Sequence, residues 1–151
     1  MKAPLSASLR YALNAQIPQP ALWSPASPKL YTVNLSVVTD GGATVDQYAS
    51  RFGFRTIETR DGHILLNGRP IFLAGVLDQD FFPVTHYTVP SETFLRQQFA
   101  QSKKMGLNLL RCHIKVPDPL YLRLADEMGF IVWYEVPNVD GLTPRSRARI
   151  S

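Results

Sequence analysis

The fold of this 151-residue chain is decided by residues 107–135, which read LNLLRCHIKVPDPLYLRLADEMGFIVWYE. The short apolar runs at residues 107–111 and 130–134 each predict a buried strand. Between them, Asp118-Pro119 supplies an N-cap and a residue suited to the first helical position, and Gly129 suits the end of a helix. Strand, helix and strand joined by short loops predict two parallel strands with a right-handed crossover.

The same alternation of strands and helices extends upstream. Residues 71–76 form a near-continuous apolar run, which predicts a strand covered on both faces. Ser91 predicts the start of a helix that runs to about Met105, and Asn67-Gly68 predicts a β-hairpin turn. A complete (β/α)8 TIM barrel needs about 250 residues. We therefore expect only the first three β/α units of such a barrel, in truncated form.

The first part of the chain has the pattern of β structure without helices. Residues 30–38 alternate apolar and polar side chains, and residues 44–50 and 52–57 are further candidate strands. Short strands separated by turns predict an antiparallel β-sandwich, of which so few strands form only a part. The predicted fold class is therefore mixed, with a partial sandwich followed by a truncated barrel.

Composition and charge narrow the classes of function. The net charge of +4 comes from the two ends, because residues 21–140 contain eleven Lys/Arg against twelve Asp/Glu. This distribution disfavours a nucleic-acid partner, which needs basic side chains clustered on a folded surface. No apolar run approaches the roughly 20 residues of a membrane span, and the single cysteine, Cys112, allows no internal disulfide. We expect no metal and no cofactor, because the sequence has no motif for either. The first twenty residues show no signal-peptide core, and nothing indicates a compartment.

Polar side chains follow all three predicted barrel strands. Asp78 follows the first strand, Arg111 and His113 follow the second, and Glu135 and Asn138 follow the third. Because the carboxyl ends of parallel strands meet at one edge of a sheet, we expect these side chains to line one cleft. Planar polar groups bind hydroxyls, and aromatic rings pack on the C–H face of a sugar. The nearby aromatic residues are Phe81, Phe82, Trp133 and Tyr134. The sequence therefore predicts a carbohydrate-binding cleft.

Five groups of motifs cover most of the chain from residue 20 to residue 140. They are LWSP (22–25) with PKLY (28–31), FGFRTIE (52–58), ILLNGRPIFLAGV (64–76), KMGLN (104–108) with LR (110–111), and ADEMGFIVW (125–133). In order and spacing they resemble glycoside hydrolase family 2, which contains β-galactosidases, β-glucuronidases and β-mannosidases. The resemblance implies a partial immunoglobulin-like domain over residues 1–60 and the N-terminal part of the catalytic barrel over residues 61–140. Residues 141–151 are predicted to be a basic disordered tail.

The resemblance also implies a retaining glycosidase with two catalytic glutamates. One is the acid/base in an Asn-Glu pair after the fourth barrel strand, and the other is the nucleophile near the seventh. The sequence contains no Asn-Glu pair, so no catalytic residue is assigned, and we expect these residues to be an inactive fragment. Arg111 resembles the family's arginine after the second strand, and Glu135 matches the acidic residue that ends the third. His113 lies one residue closer to that arginine than in many members.

Two other interpretations stay open. In the first, the chain is a non-catalytic carbohydrate-binding or interaction module, which requires that it folds by itself. Alternatively, it is a compact enzyme that uses Asp78 or Glu135 with His113 as acid and base. Asp80 suits either the cleft or a local hydrogen bond, and Cys112 is expected to pack as a small apolar residue. An open barrel leaves apolar helix faces and an edge strand in water, so we expect poor solubility or self-association.

Overall fold

The computed structural model describes residues 12–138 and 141–150. Within these ranges the chain forms three sheets and three helices. Residues 1–11, at the start of the predicted sandwich segment, and residues 139, 140 and 151 lie outside the described residues. In the described ranges, no helix has the length and apolar character needed to cross a bilayer.

The first sheet is an antiparallel hairpin. Its strands β1 (Tyr31–Val38) and β2 (Thr44–Phe52) pair from Tyr31 opposite Phe52 to Val38 opposite Thr44. Most residues of both strands are exposed. Two strands form a single layer, so the described residues do not by themselves make a two-sheet sandwich.

The second sheet is an antiparallel meander of β3 (Ile57–Arg60), β4 (His63–Leu66) and β5 (Arg69–Pro70). Asn67 and Gly68, with φ values of 54° and 75°, form the turn between β4 and β5. Positive φ at both central residues is what a two-residue hairpin turn requires. The predicted Asn-Gly hairpin is therefore confirmed.

A single strand over residues 52–57 does not form. The second strand ends at Phe52, and the third begins at Ile57. The backbone between them pairs instead with the segment that precedes β1, which we call the N-terminal loop. In this contact Trp23 N donates to Phe54 O at 2.8 Å. A contact between distant residues thus interrupts a segment with uniform strand propensity.

The third sheet is parallel, with the strand order β6 (Gly75–Asp78), β7 (Leu109–Cys112) and β8 (Ile131–Tyr134). Helix α1 (Glu92–Lys104) connects the first two strands, and helix α2 (Pro119–Met128) connects the second pair. The predicted alternation of parallel strands and helices is confirmed. Over the described residues these strands remain an open sheet and do not close a barrel.

The first parallel strand differs from its prediction in position and burial. It begins at Gly75. Just before the strand, the backbone N–H of Ala74 donates to the Asn108 side chain at 2.9 Å and is therefore not available for strand pairing. Val76 and Leu77 remain 43% and 47% exposed. The strand is therefore not covered on both faces, although its apolar composition predicts that it is.

The helix ends agree with the local signals in the sequence. Ser91 Oγ accepts from Phe94 N at 3.1 Å, and Asp118 Oδ1 accepts from Leu120 N at 2.7 Å. Gly129 ends the second helix with a φ of 75°. These contacts satisfy backbone groups that a helix terminus otherwise leaves without partners.

Both helices cover one face of the parallel sheet. The core between them consists of Leu95, Phe99, Leu110, Cys112, Tyr121, Leu124, Ala125 and Phe130. Because side chains alternate along a strand, the opposite face carries Leu77, Arg111 and Trp133, which are in register across the three strands. Arg111 and Trp133 are therefore side by side and directed away from the helices.

The N-terminal loop packs against α1 and α2 and forms hydrogen bonds with both. Trp23 is 1% exposed, and its Nε1 donates to Asp126 O at 2.8 Å. Lys103 Nζ donates to Pro25 O at 3.0 Å and to Gly129 O at 2.5 Å. These contacts connect the β segment to the ends of both helices.

An ion-pair network strengthens the same connection. Glu127 of α2 pairs with Arg51 of β2, Arg96 of α1 and Arg123 of its own helix. Partial burial raises the pKa of Glu127, but the hydrogen bonds from Arg96 and Arg51 outweigh it and hold that pKa below its ordinary value. The network therefore joins three elements that are far apart in the chain.

Helix α3 (Pro144–Ile150) occupies most of the segment predicted to be a disordered basic tail. Thr143 and Ser146 explain its start, since Ser146 N donates to Thr143 Oγ1 at 3.1 Å and Thr143 N donates to Ser146 Oγ at 2.8 Å. Proline at the first helical position adds to this reciprocal cap. Here the local capping signal outweighs the lack of apolar periodicity.

Candidate functional site

Arg111, His113 and Glu135 come together at the carboxyl ends of the second and third parallel strands. Arg111 Nε donates to Glu135 Oε1 at 2.7 Å, and His113 Nδ1 lies 3.1 Å from Glu135 Oε2. The backbone N–H of Ile114 donates to the same Oε2 at 2.9 Å. We call Arg111, His113 and Glu135 the polar cluster. Glu135 is its centre, because both of its oxygens hold groups from the neighbouring strand end.

The charge of Glu135 is stabilised by these contacts. The hydrogen bond from Ile114 N lowers the pKa of Glu135, and Arg111 and His113 lower it further against partial desolvation. Glu135 is therefore an ionised acceptor at neutral pH. It orients the arginine and the histidine, and it has no proton to donate.

The backbone at Ile114 is strained. Its φ of 48° is uncommon for any residue with a side chain and especially for a β-branched one, and such a conformation costs about 1–2 kcal/mol. The N–H of this same residue donates to Glu135, so the strained residue is part of the contacts that hold the carboxylate. Strain of this kind is typical of functional loops.

The cluster lies beside an exposed aromatic ring. The Arg111 guanidinium is 5.9 Å from the centre of the Trp133 ring, and that ring is 59% exposed. Arg111 and His113 are partly accessible to solvent. The arrangement presents hydrogen-bonding groups and an aromatic face to the same space, which suits a polyhydroxylated ring.

Asp78 and Asn138 are not part of this cluster. Asp78 Oδ2 accepts from Tyr121 Oη at 2.8 Å, and its Oδ1 accepts from Asp80 N at 2.8 Å, so the carboxylate lies on the helix side of the sheet. Asn138 is exposed, three residues after Glu135, and within the described ranges its side chain makes no hydrogen bond to the cluster. The structure thus brings together three of the five predicted residues.

Cys112 and Tyr121 lie in the core beneath the cluster. Burial raises the pKa of the Cys112 thiol to about 11 and also raises the pKa of Tyr121. Neither group supplies an anion at neutral pH. The expectation that Cys112 packs as a small apolar residue agrees with its complete burial.

A buried ion pair at the same edge of the sheet has no signal in the sequence. Lys115 Nζ lies 2.9 Å from Asp80 Oδ2, and both side chains are almost fully buried. Burial raises the pKa of Asp80, with Lys115 opposing that effect. A lone lysine in a polar loop predicts a solvated side chain. Only the packing of two distant loops places it inside.

The described residues contain no group of three or more His, Cys, Asp or Glu side chains that is arranged to hold a metal ion. The polar cluster itself offers one carboxylate and one imidazole, both engaged with each other.

Comparison with known proteins identifies the family of this chain. Residues 3–55 match the family described as Glycosyl hydrolases family 2, and residues 57–148 match the Glycosyl hydrolases family 2, TIM barrel domain. A β-galactosidase of Pectobacterium atrosepticum is 31% identical over 140 residues, which is 91% of this chain and 13% of the β-galactosidase.

Solved structures show the same similarity. The apo structure of Bacteroides uniformis β-glucuronidase 3 superposes with a TM-score of 0.74 at 31% identity, over 87% of this chain and 17% of that one. A family 2 β-galacturonidase from Eisenbergiella tayi, bound to galacturonate, gives a TM-score of 0.71 at 34% identity, over 80% of this chain and 21% of that one. The chain thus spans between about an eighth and a fifth of the length of these relatives.

Proposed function

Since the chain belongs to glycosyl hydrolases family 2, we propose that it contributes to the hydrolysis of O-glycosyl bonds in β-glycosides. Its part in that reaction is to form one wall of the sugar-binding site. The observation that carries this proposal is the polar cluster, in which an ionised Glu135 orients Arg111 and His113 beside the exposed Trp133 ring. The proposed partner is a carbohydrate substrate.

The proposed domain organisation follows from the same membership. Residues 1–60 form part of an immunoglobulin-like β-sandwich, and residues 61–140 form the first three β/α units of a (β/α)8 barrel. The parallel order of the third sheet and its two helical connections support the barrel assignment. The polar cluster then occupies the carboxyl ends of the strands, where barrel enzymes bind their substrates.

The cluster is suited to binding a sugar and not to cleaving it. A retaining glycosidase needs two carboxyl groups about 5–5.5 Å apart, one as nucleophile and one as acid/base. Glu135 is a single carboxylate whose oxygens are occupied by Arg111, His113 and Ile114 N. We assign no catalytic residue to these 151 residues and expect the isolated chain to bind without turnover. Asn138 is a further proposed contact to the sugar, and Asp78 is left out because Tyr121 occupies its carboxylate.

The test is a binding titration of the 151-residue chain followed by NMR, with methyl β-D-galactoside and methyl β-D-glucuronide. We expect saturable binding, and we expect R111A to weaken it by about tenfold to 150-fold, because a hydrogen bond to a charged group contributes about 1.5–3 kcal/mol. The matched control is R60A, which removes an exposed arginine that pairs with Glu58. Absence of binding, or equal losses in both variants, would refute the proposal.

Turnover is measured separately with the 4-nitrophenyl derivatives of the same sugars. We expect a rate equal to that of buffer. A higher rate that E135Q abolishes would show that the isolated chain is itself an enzyme and that the assignment of no catalytic residue is wrong.

A further inference from the structure

The loop between the first parallel strand and α1 carries an aromatic pair that the polar cluster does not use. The rings of Phe81 and Tyr87 meet edge to face, with centroids 5.5 Å apart and an interplanar angle of 75°. Each residue is 55% exposed. Two nearly perpendicular rings form an open corner, which can contact the face and the edge of a third ring at once.

This corner is held in place by the buried Lys115. The ammonium Nζ lies 5.1 Å from the Phe81 ring centre and 4.1 Å from the Tyr87 ring centre. It donates to Tyr87 O at 2.6 Å and to Asp80 O, and it pairs with Asp80 Oδ2 at 2.9 Å. Mutual backbone hydrogen bonds of 2.8 Å between Phe82 and His86 close the loop between the two rings. The rings are therefore positioned before any ligand arrives, which lowers the entropic cost of binding.

Lys115 Nζ donates to two carbonyl oxygens, Tyr87 O and Asp80 O, and it forms an ion pair with the Asp80 carboxylate. Because the Lys115 side chain is only 4% exposed, its ammonium is shielded from a ligand. The corner offers a ring-shaped ligand its π faces and edges, with no hydrogen bond from the buried cation. Two ring surfaces at this angle suit an aromatic ring.

The loop that carries the corner is joined through the backbone to the strand end that carries Arg111 and His113. The loop begins at Asp78, whose carbonyl accepts from His113 N at 3.0 Å, and Lys115 follows His113 by two residues. A glycoside has two parts, the sugar and the group attached to it through the glycosidic oxygen. The polar cluster suits the hydroxyls of the first part, and the aromatic corner, on the loop joined to the same strand end, suits the second.

We propose that Phe81 and Tyr87 form a binding subsite for an aromatic leaving group of the glycoside, with Lys115 and Asp80 as positioning residues. The inference rests on the proposed function, because it requires a sugar bound at the polar cluster.

The experiment compares phenyl and methyl β-glycosides of the same sugar, galactose or glucuronic acid, in NMR titrations of the 151-residue chain. We expect the phenyl glycoside to bind about fivefold to tenfold more tightly, as aromatic contacts of this type provide. In F81A and in Y87A the ratio of the two dissociation constants falls toward one. The control F72A removes a ring that is 85% exposed but lies at the amino ends of the strands, where Asn108 Nδ2 donates to Phe72 O. It should keep the full ratio.

A second variant separates loss of the subsite from loss of the fold. F81L keeps an apolar side chain without a π face, and we expect it to melt like the parent chain while losing most of the phenyl preference. For the positioning residues, K115M combined with D80N removes both buried charges together, so that neither is left unpaired. We expect this double variant to lose the phenyl preference as well.

The outcomes distinguish the two proposals. If the parent chain binds neither glycoside, the proposed function and this inference both fail. If it binds both equally, or if the phenyl preference survives F81A and Y87A, only the subsite is refuted. Tighter binding of a disaccharide with the same terminal sugar than of the phenyl glycoside would overturn the aromatic leaving group.

Discussion

The second helix and the N-terminal loop approach each other closely at Gly129, and replacing this residue by alanine measures how strongly the two are joined. Its φ of 75° is a left-handed conformation that alanine adopts at a cost of about 1–2 kcal/mol. A Cβ atom at this position would lie 2.4 Å from Pro25 O and 3.0 Å from Pro25 C. The clash involves backbone atoms, so a side-chain rotation does not relieve it.

Gly106 provides the matched control. It follows the first helix with a φ of 81°, and a Cβ there would meet nothing within 4 Å. G106A therefore incurs only the conformational cost. G129A adds the cost of overpacking, about 1–3 kcal/mol, and it displaces Pro25 O, which also accepts from Lys103 Nζ at 3.0 Å. We expect G129A to lower the free energy of unfolding by about 2–5 kcal/mol and G106A by about 1–2 kcal/mol.

The assay is urea unfolding followed by far-ultraviolet circular dichroism, at several protein concentrations so that self-association is detected. The quantity of interest is the difference between the two variants, because the left-handed cost is common to both and cancels. Equal destabilisation by G129A and G106A would mean that the N-terminal loop does not pack against the second helix in solution. The connection through Pro25 and Trp23 would then be wrong.

Three further predictions concern single groups. W23F should lower the free energy of unfolding by about 1–3 kcal/mol in urea titrations, because Asp126 O loses its buried donor; a loss no larger than that of W133F, at an exposed ring, would contradict this. Cys112 should react with a disulfide reagent at least about 100-fold more slowly in the native chain than in urea, since burial raises its pKa from 9.0 to about 11; native and unfolded rates within tenfold of each other would show that the core is open. The pKa of Glu135 is lowered in the folded chain. The stabilisation that its ionised carboxylate provides is therefore complete above the ordinary value of 4.5 and is lost as the pH falls through the lower folded value. Methyl glycoside affinity should therefore be constant down to about pH 4.5 and fall below it, and a loss that begins near neutral pH would point to another group.

The polar cluster was within reach of sequence reasoning because it depends on topology alone. Once the strands are parallel, Arg111 and Glu135 must meet at one edge of the sheet. The orientation of the Asp78 side chain could not be predicted from the sequence, because it depends on the register of strand pairing. Asp78 is paired with Cys112, on the face that the helices cover, whereas Leu77 is paired with Arg111 on the other face. A shift of one residue in this pairing would have placed Leu77 on the face that the helices cover and Asp78 on the other face.

What the sequence determined by itself is the set of features that residues within about four positions of one another produce. These are the helix caps at Ser91 and Asp118, the left-handed end at Gly129 and the Asn67-Gly68 turn, each a hydrogen bond or backbone preference between near neighbours. The tertiary structure alone decided that β6 begins at Gly75, and it alone enclosed Lys115 with Asp80. Both results follow from contacts between segments more than thirty residues apart. The pattern of neighbouring residues does not determine the free energy of such contacts.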